Sequence, residues 1–212
     1  MHFLTEQLWF PSVTAADEDG LLAVGGDLSS ERLLLAYQSG IFPWYSDGQP
    51  ILWWSPDPRM VLFPKDLKVS KSFRKSIVSE KFRVTFNSSF SEVIENCATI
   101  KREGQPSTWI TPEMQRAYLK LHQQGHAVSV EVWQDNKLVG GLYGIDLPEK
   151  KVFCGESMFT KVSDASKVGF YHLVQSLKEK QYKLIDCQVH SYHLQRLDAV
   201  QLPRERFMKY LD

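Results

Sequence analysis

The chain has 212 residues, 43% of them apolar and 24% charged, enough for one large domain or two small ones around a real core. Basic and acidic residues balance at 25 each, so no global field draws in a polyanion, and such a partner would need a local patch. The three cysteines, Cys97, Cys154 and Cys187, are odd in number and far apart, which excludes a secreted disulfide framework and fits a reducing cytoplasm.

The start, MHFLTEQLWFP, carries Glu6 and Pro11 and lacks a basic head followed by an apolar run, so no signal peptide is expected. No stretch approaches the length that spans a bilayer, and no membrane association is expected. Residues 29–39 read as a helix: Ser29 caps it, Glu31 complements its dipole, Leu33, Leu34, Ala36 and Tyr37 form an apolar stripe, and Gly40 ends it. PWYSDGQPILWW follows, with three tryptophans and a tyrosine among turn formers, and SPDPR after it predicts an extended path. One of Trp53 and Trp54 belongs to a core, because neighbours in an extended run point opposite ways. Trp44, between Pro43 and Tyr45, is the better candidate for an exposed platform.

From Lys65 to Arg83 seven basic residues face two acids. In KVSKSFRKSIV, a helix with Phe73 and Ile77 inward puts Lys71, Arg74 and Lys75 on the opposite side as a compact basic stripe. Ser89 and Glu92 read as a capping box for a helix with Phe90, Val93, Ile94 and Cys97 inward. A further helix starts at Thr111 and Pro112 and stops at Gly125. AVSVEVW, KLVGGLYGI and VFCGESMF then read as an antiparallel meander joined by QDNK and DLPEKK turns. A helix over 165–180, the strand YKLIDCQV and a short helix opening at Pro203 complete the chain. The class is α+β, with a small aromatic-rich N-terminal domain over 1–64 and a mixed-sheet domain over 65–212.

Alternation along YKLIDCQV places Leu184, Asp186 and Gln188 on one face, with the α-carbons of Asp186 and Gln188 roughly 6–7 Å apart. A carboxylate and an amide inside an apolar strand need partners. They form either a structural hydrogen-bonded pair or a site that orients an amine and accepts its proton. Glu156 in FCGESMF poses the same choice between a salt bridge and an acidic site for a cationic substrate. Phe170, Leu173, Val174 and Leu177 make a helical stripe that packs a core or walls an apolar pocket. Cys187, His190 and His193 have metal-like spacing without a clear fourth ligand, and no metal is expected. No phosphate loop and no G-x-S-x-G elbow is present. Rings beside a basic stripe are a means of holding unpaired nucleotides.

Read in order, GLLAVGGDLS, LLLAYQSGIFPWYS, PILWWSPDPR, TWIT, GHAVSVEVW, LVGGLYG, FCGESMF, ASK and LIDCQV resemble the bacterial leucyl/phenylalanyl-tRNA-protein transferases, from about Gly20 to Arg204. The resemblance implies an acetyltransferase-like (GNAT-like) catalytic domain. It also implies transfer of leucine, phenylalanine or, less readily, methionine from Leu-tRNA or Phe-tRNA to the N-terminal Arg or Lys of acceptor proteins, which marks them for N-degron degradation. No cofactor and no ATP is implied, since the aminoacyl ester is already activated. Carried over, Trp44 and Trp109 hold the terminal adenosine, with Tyr37 and Tyr118 as neighbours, so the N-terminal domain contributes to that site. Leu142, Phe153, Met158, Phe170, Leu173, Leu177 and Ile185 form the pocket for the amino-acid side chain. Asp186 and Gln188 activate the amine, or orient it while an adjacent ribose hydroxyl of the tRNA shuttles the proton, and Glu156 shares their site; the stripe of Lys71, Arg74 and Lys75 tracks tRNA phosphates. Family members commonly show Ser-Leu-Gly-Ala where this chain has Arg196-Leu197-Asp198-Ala199, so a differently shaped loop is expected. They usually continue beyond the segment ending here at Leu211-Asp212, and Leu142 stands where methionine also occurs. Two rivals remain: an acyl-coenzyme A N-acetyltransferase, for which SDASKVG is a poor pyrophosphate turn, and a non-catalytic RNA-binding module, which leaves Asp186, Gln188 and Glu156 without purpose. Nothing in the sequence demands more than a monomer.

Overall fold

The structure, a computed structural model, describes residues 1–100 and 108–212. Strands β1 (His2–Leu4) and β2 (Leu21–Gly25) pair in parallel, and helix α1 (Ser30–Gln38) follows with the Ser29 side chain accepting the Arg32 N–H. Strands β3 (Phe42–Pro43) and β4 (Leu52–Trp54) complete a four-stranded sheet in the order β1-β2-β4-β3. Next come β5 (Arg59–Leu62), α2 (Lys71–Val78), β6 (Arg83–Phe86), α3 (Phe90–Thr99) and α4 (Pro112–Gln123). The meander is β7 (Ala127–Gln134), β8 (Lys137–Leu147) and β9 (Val152–Thr160). It leads to α5 (Ala165–Glu179), β10 (Leu184–Gln188), α6 (Tyr192–Gln195), β11 (Val200–Leu202) and α7 (Arg204–Met208).

These strands build a seven-stranded mixed sheet ordered β11-β5-β10-β9-β8-β7-β6. The β7–β8 turn holds Asp135 and Asn136 at φ 49° and 58°, the left-handed pair that lets a two-residue hairpin follow the twist of its strands. Helix α5 carries the chain from β9 to the parallel strand β10, so meander, helix and strand follow in the order expected of an acetyltransferase-like domain. The sheet separates two apolar clusters. Val61, Tyr143, Ile145, Cys154 and Leu184 pack towards α1, α3 and α4, while Met60, Leu62, Leu142, Phe153 and Ile185 pack towards α5. The β-strand period of two produces this division.

Three observations bear on the expectations. Residues 59–62 form a strand between β10 and β11, so the larger sheet begins before residue 64. Ser89 precedes α3 without a side-chain capping bond; instead the buried Glu131 carboxylate of β7 accepts the backbone N–H groups of Ser88 and Ser89, so the capping box does not form. Asp198 lies at φ 68°, the left-handed conformation that glycine favours. Among the described residues no helix is long and apolar enough to cross a membrane.

Candidate active site

A cavity of about 260 Å³ opens between β8, β9, β10, α5 and the α6 segment. Six of the expected pocket residues line it: Leu142, Phe153, Met158, Phe170, Leu173 and Ile185. Leu177 belongs to the same apolar cluster, one turn beyond Leu173, but does not reach the cavity wall. Tight packing fixes the floor, for a Cβ added to Gly144 would come within 2.6 Å of the Phe153 ring and 2.2 Å of the Cys154 carbonyl. The polar and mixed part of the wall includes Trp109, Glu156, Ser157, Gln188, Ser191 and His193. Burial, with Lys167 and Arg196 nearby, pushes the His193 imidazole below its usual range.

Strand β10 does not keep its alternation to the end. Ile185 and Cys187 face the cavity and Asp186 faces away, as a strand requires, but Gln188 adopts φ 63° and lines the cavity too. The Val189 N–H donates to the Cys187 carbonyl at 2.9 Å, closing a three-residue turn on Gln188, and the pairing of β10 with β5 shifts register at the same point. A non-glycine residue at positive φ in so tight a turn is strained, and such strain collects at functional sites.

Asp186 is buried at 1% exposure and does not line the cavity. Its two oxygens accept from Arg59 Nε at 2.8 Å and Nη2 at 2.7 Å, a bidentate pair with an equally buried guanidinium. Phe42 and Phe207 each lie 4.8 Å from that guanidinium. Asp186 Oδ1 also accepts the backbone N–H of Gln188 at 2.9 Å. With both oxygens so engaged, Asp186 holds Arg59 and the Gln188 backbone together behind the cavity wall. Arg59 went unnoticed in the sequence, although a lone acid inside an apolar strand was itself the signal that a cation had to be near.

Glu156 sits on β9 beside Gln188, whose Nε2 donates to Glu156 Oε1 at 2.8 Å. The Tyr118 hydroxyl donates to Oε2 at 3.1 Å, and Tyr118 is joined to Tyr37 by a very short hydrogen bond. Burial pushes the Glu156 carboxyl up to about 7; bonds from Tyr37, Tyr118 and Gln188 oppose the rise, and the Asp186 charge adds to it. Tyr37 and Tyr118 are both buried in the core and off the cavity wall, where Tyr118 bonds Glu156 directly and Tyr37 bonds Tyr118.

Trp109 lines the cavity, whereas Trp44, 40% exposed, stands outside it. The two are linked through Tyr45, the residue after Trp44, which lies against Thr111 two residues after Trp109. Trp54 supports Trp44 by donating Nε1 to its carbonyl at 2.6 Å, while Trp53 is wholly buried, its Nε1 donating to the Gly25 carbonyl. On α2, Lys71, Arg74 and Lys75 are exposed and Phe73 is buried.

A family model described as leucyl/phenylalanyl-tRNA protein transferase matches residues 61–212, and one described as that family's N-terminal domain matches 26–57. A protein of Christiangramia forsetii named leucyl/phenylalanyl-tRNA--protein transferase is 60% identical over 211 residues, covering all of both chains. One of the same name from Flavobacterium johnsoniae is also 60% identical, over 100% of this chain and 99% of its own. Among solved structures, a GCN5-related N-acetyltransferase from Kribbella flavida aligns with a TM-score of 0.40 at 13% identity, over 84% of this chain and 63% of that one.

Proposed function

Since this chain belongs to the leucyl/phenylalanyl-tRNA-protein transferases and is an aminoacyltransferase, we propose that it moves leucine, phenylalanine or, less readily, methionine from aminoacyl-tRNA to the N-terminal Arg or Lys of acceptor proteins. The product is a new N-terminal peptide bond that marks the acceptor for degradation, and a cytoplasmic setting goes with a charged-tRNA donor. The observation that carries this reading is one cavity with an apolar end and a polar wall holding Glu156 and Gln188.

Each part has a physical role. The apolar end, formed by Leu142, Phe153, Met158, Phe170, Leu173 and Ile185, takes an unbranched-Cβ side chain. It discriminates weakly because one methylene is worth about 1–3 kcal/mol, so leucine, phenylalanine and methionine are all admitted. Trp109 at the rim, with Trp44 on the adjoining loop, offers ring faces to the terminal adenine. Lys71, Arg74 and Lys75 contact acceptor-stem phosphates without reading sequence. Gln188, with Nε2 bound to Glu156, presents its carbonyl oxygen to an amine N–H of the acceptor. Asp186, fixed by Arg59, holds the Gln188 backbone in its strained turn. Glu156, when ionised, also gives the cavity wall a negative charge that suits a cationic N-terminal residue.

The acetyltransferase alternative fits less well at the start of α5, where a coenzyme pyrophosphate would need free backbone N–H groups. The Ala165 N–H already donates to the Val162 carbonyl at 3.1 Å, Asp164 adds negative charge, and an added Cβ on Gly140 would lie 2.7 Å from Ala165 Cβ. The test is transfer of labelled leucine from Leu-tRNA to proteins differing only in their first residue. Incorporation into those beginning with Arg or Lys, and not with Ser or Glu, is expected. Equal incorporation into all, or acetyl transfer from acetyl-coenzyme A in its place, rejects the assignment.

A further inference from the structure

We propose that Glu156 is the proton carrier of the transfer, taking the proton that the attacking amine must lose and returning it to the departing ribose oxygen. The proposal rests on the aminoacyl-ester reading of the cavity given above and adds the proton path. Of the carboxyl and imidazole groups on the wall, Glu156 and His193, only Glu156 is bonded to the Gln188 amide. Among the described residues Glu156 is the only carboxylate on the cavity wall. Asp186 lies behind that wall with both oxygens on Arg59. Gln188 carries an amide, which orients an amine but is too weak a base to hold its proton. With Gln188 Nε2 on Glu156 Oε1 at 2.8 Å, an amine bonded to the same carboxamide comes within reach of the Glu156 carboxylate.

The surroundings accommodate both protonation states. From α4 the Tyr118 hydroxyl reaches Glu156 Oε2, and from α1 the Tyr37 hydroxyl meets Tyr118. Hydroxyls donate or accept, so the Tyr118–Tyr37 pair can reverse its direction when Glu156 becomes protonated, and Glu156 Oε2 stays bonded to Tyr118 in both states. Facing the carboxylate from β10 are the Asp186 charge and the Gln188 amide, with Arg59 of β5 neutralising Asp186 from behind. A carboxyl raised to about 7 by this burial is matched to proton transfer near neutral pH.

The step balances. The amine nitrogen attacks the ester carbonyl carbon, the C=O π pair moves to oxygen, and the proton leaving nitrogen goes to a Glu156 oxygen. The pair then returns, the bond from carbonyl carbon to ribose oxygen breaks, and that oxygen takes the proton from Glu156. The products are an amide and a free ribose hydroxyl, with the carboxylate restored.

The experiment measures single-turnover transfer from Leu-tRNA to a peptide beginning with Arg, at saturating peptide, from pH 5.5 to 8.5. In the wild type the rate rises through a step near 7, separate from the acceptor amine's own step at about 8. Glu156→Gln keeps an oxygen for Gln188 Nε2 but cannot carry the proton, so kcat falls about 10²–10⁴-fold, the lower step disappears and KM for Leu-tRNA is unchanged. Tyr118→Phe removes one donor to the carboxylate and moves the lower step to higher pH, which tests the role even if Glu156→Gln folds poorly. A Glu156→Gln enzyme with wild-type kcat and profile, or with a lower rate that keeps the step near 7, overturns the proton-carrier role alone. A wild type that transfers no leucine to the peptide overturns the underlying reading instead.

Discussion

Replacing Arg59 by methionine keeps an unbranched stem as far as the Nε position and removes the only ion-pair partner that Asp186 has among the described residues. Both side chains are about 1% exposed, so water does not compensate the stranded carboxylate. Breaking a buried pair from one side costs about 3–5 kcal/mol, because the surviving charge keeps its desolvation penalty and loses its counter-charge. Two further losses add to this: the guanidinium contacts with Phe42 and Phe207, and the restraint that Asp186 Oδ1 places on the Gln188 backbone. Whole-domain stabilities are only about 5–15 kcal/mol, and at this length each kcal/mol moves Tm by about 2–4 °C. Arg59→Met is therefore expected to melt roughly 6–20 °C below the wild type, measured by circular dichroism and urea titration. Adding Asp186→Asn removes the stranded charge and recovers part of the loss. Transfer assays at low temperature, where both proteins are folded, should show a reduced kcat with little change in KM for Leu-tRNA, since Gln188 loses its anchor and the apolar pocket stays intact. A loss under about 1 kcal/mol, or a double variant no more stable than the single one, would refute the claim that this pair organises the site.

Trp109→Ala should weaken Leu-tRNA binding by about 1–3 kcal/mol, or roughly 5–150-fold, if the ring stacks on a base; an unchanged Kd by fluorescence titration removes Trp109 from the adenosine site. Lys75→Ala should lower tRNA affinity at low salt and make the slope of log Kd against log salt shallower by about 0.7–0.9, the share of one phosphate contact; an unaltered slope makes the α2 stripe a solvated face. Glu156 also links folding to pH: its folded pKa of about 7 lies above the 4.5 of an unperturbed glutamate. Its contribution to stability is fully present below 4.5 and is lost as pH rises through 7, about 3 kcal/mol in all. Unfolding titrations should thus find Glu156→Gln gaining on the wild type between pH 4.5 and 8, and equal pH dependence of the two would contradict a carboxyl raised by burial.

What could be read in the sequence was whatever depends on periodicity and local caps. Ser29, Thr111 and Gly125 set the ends of α1 and α4, and the alternation of β7 to β9 gave the meander. The stripe of Phe170 and Leu173 was legible in the period of α5, whereas Leu142, Phe153 and Ile185 came from the family resemblance and fall on one face of the sheet opposite that stripe. Less legible were features made by long-range contact. Arg59 meets Asp186 across 127 residues, and no local pattern says which cation a buried acid will find. Likewise Glu131, rather than Glu92, serves the start of α3, because tertiary packing brings a carboxylate from β7 to the helix end. Nor did any local pattern announce that the hydroxyls of Tyr37 and Tyr118, whose rings complete the core, meet one another and reach Glu156.

Strand β10 shows why the alternation rule had to fail where it did. A strand that builds an apolar wall gives that face to Ile185 and Cys187, which leaves Asp186 and, by strict alternation, Gln188 on the other side. A buried carboxylate on the hidden face is tolerable once Arg59 neutralises it. An amide that, on the proposed reading, touches an amine in the cavity would be of no use there. The tight turn at φ 63° resolves the conflict by rotating Gln188 out of alternation, and Asp186 Oδ1 holds the turned backbone by its N–H. Charge on one face, grease on the other and one strained residue at the end allow a single strand to supply the anchor, the pocket wall and the orienting amide. Glu156 of the neighbouring strand meets that amide at 2.8 Å, so the chemistry lies where β9 and β10 reach the cavity rather than within either strand's regular part.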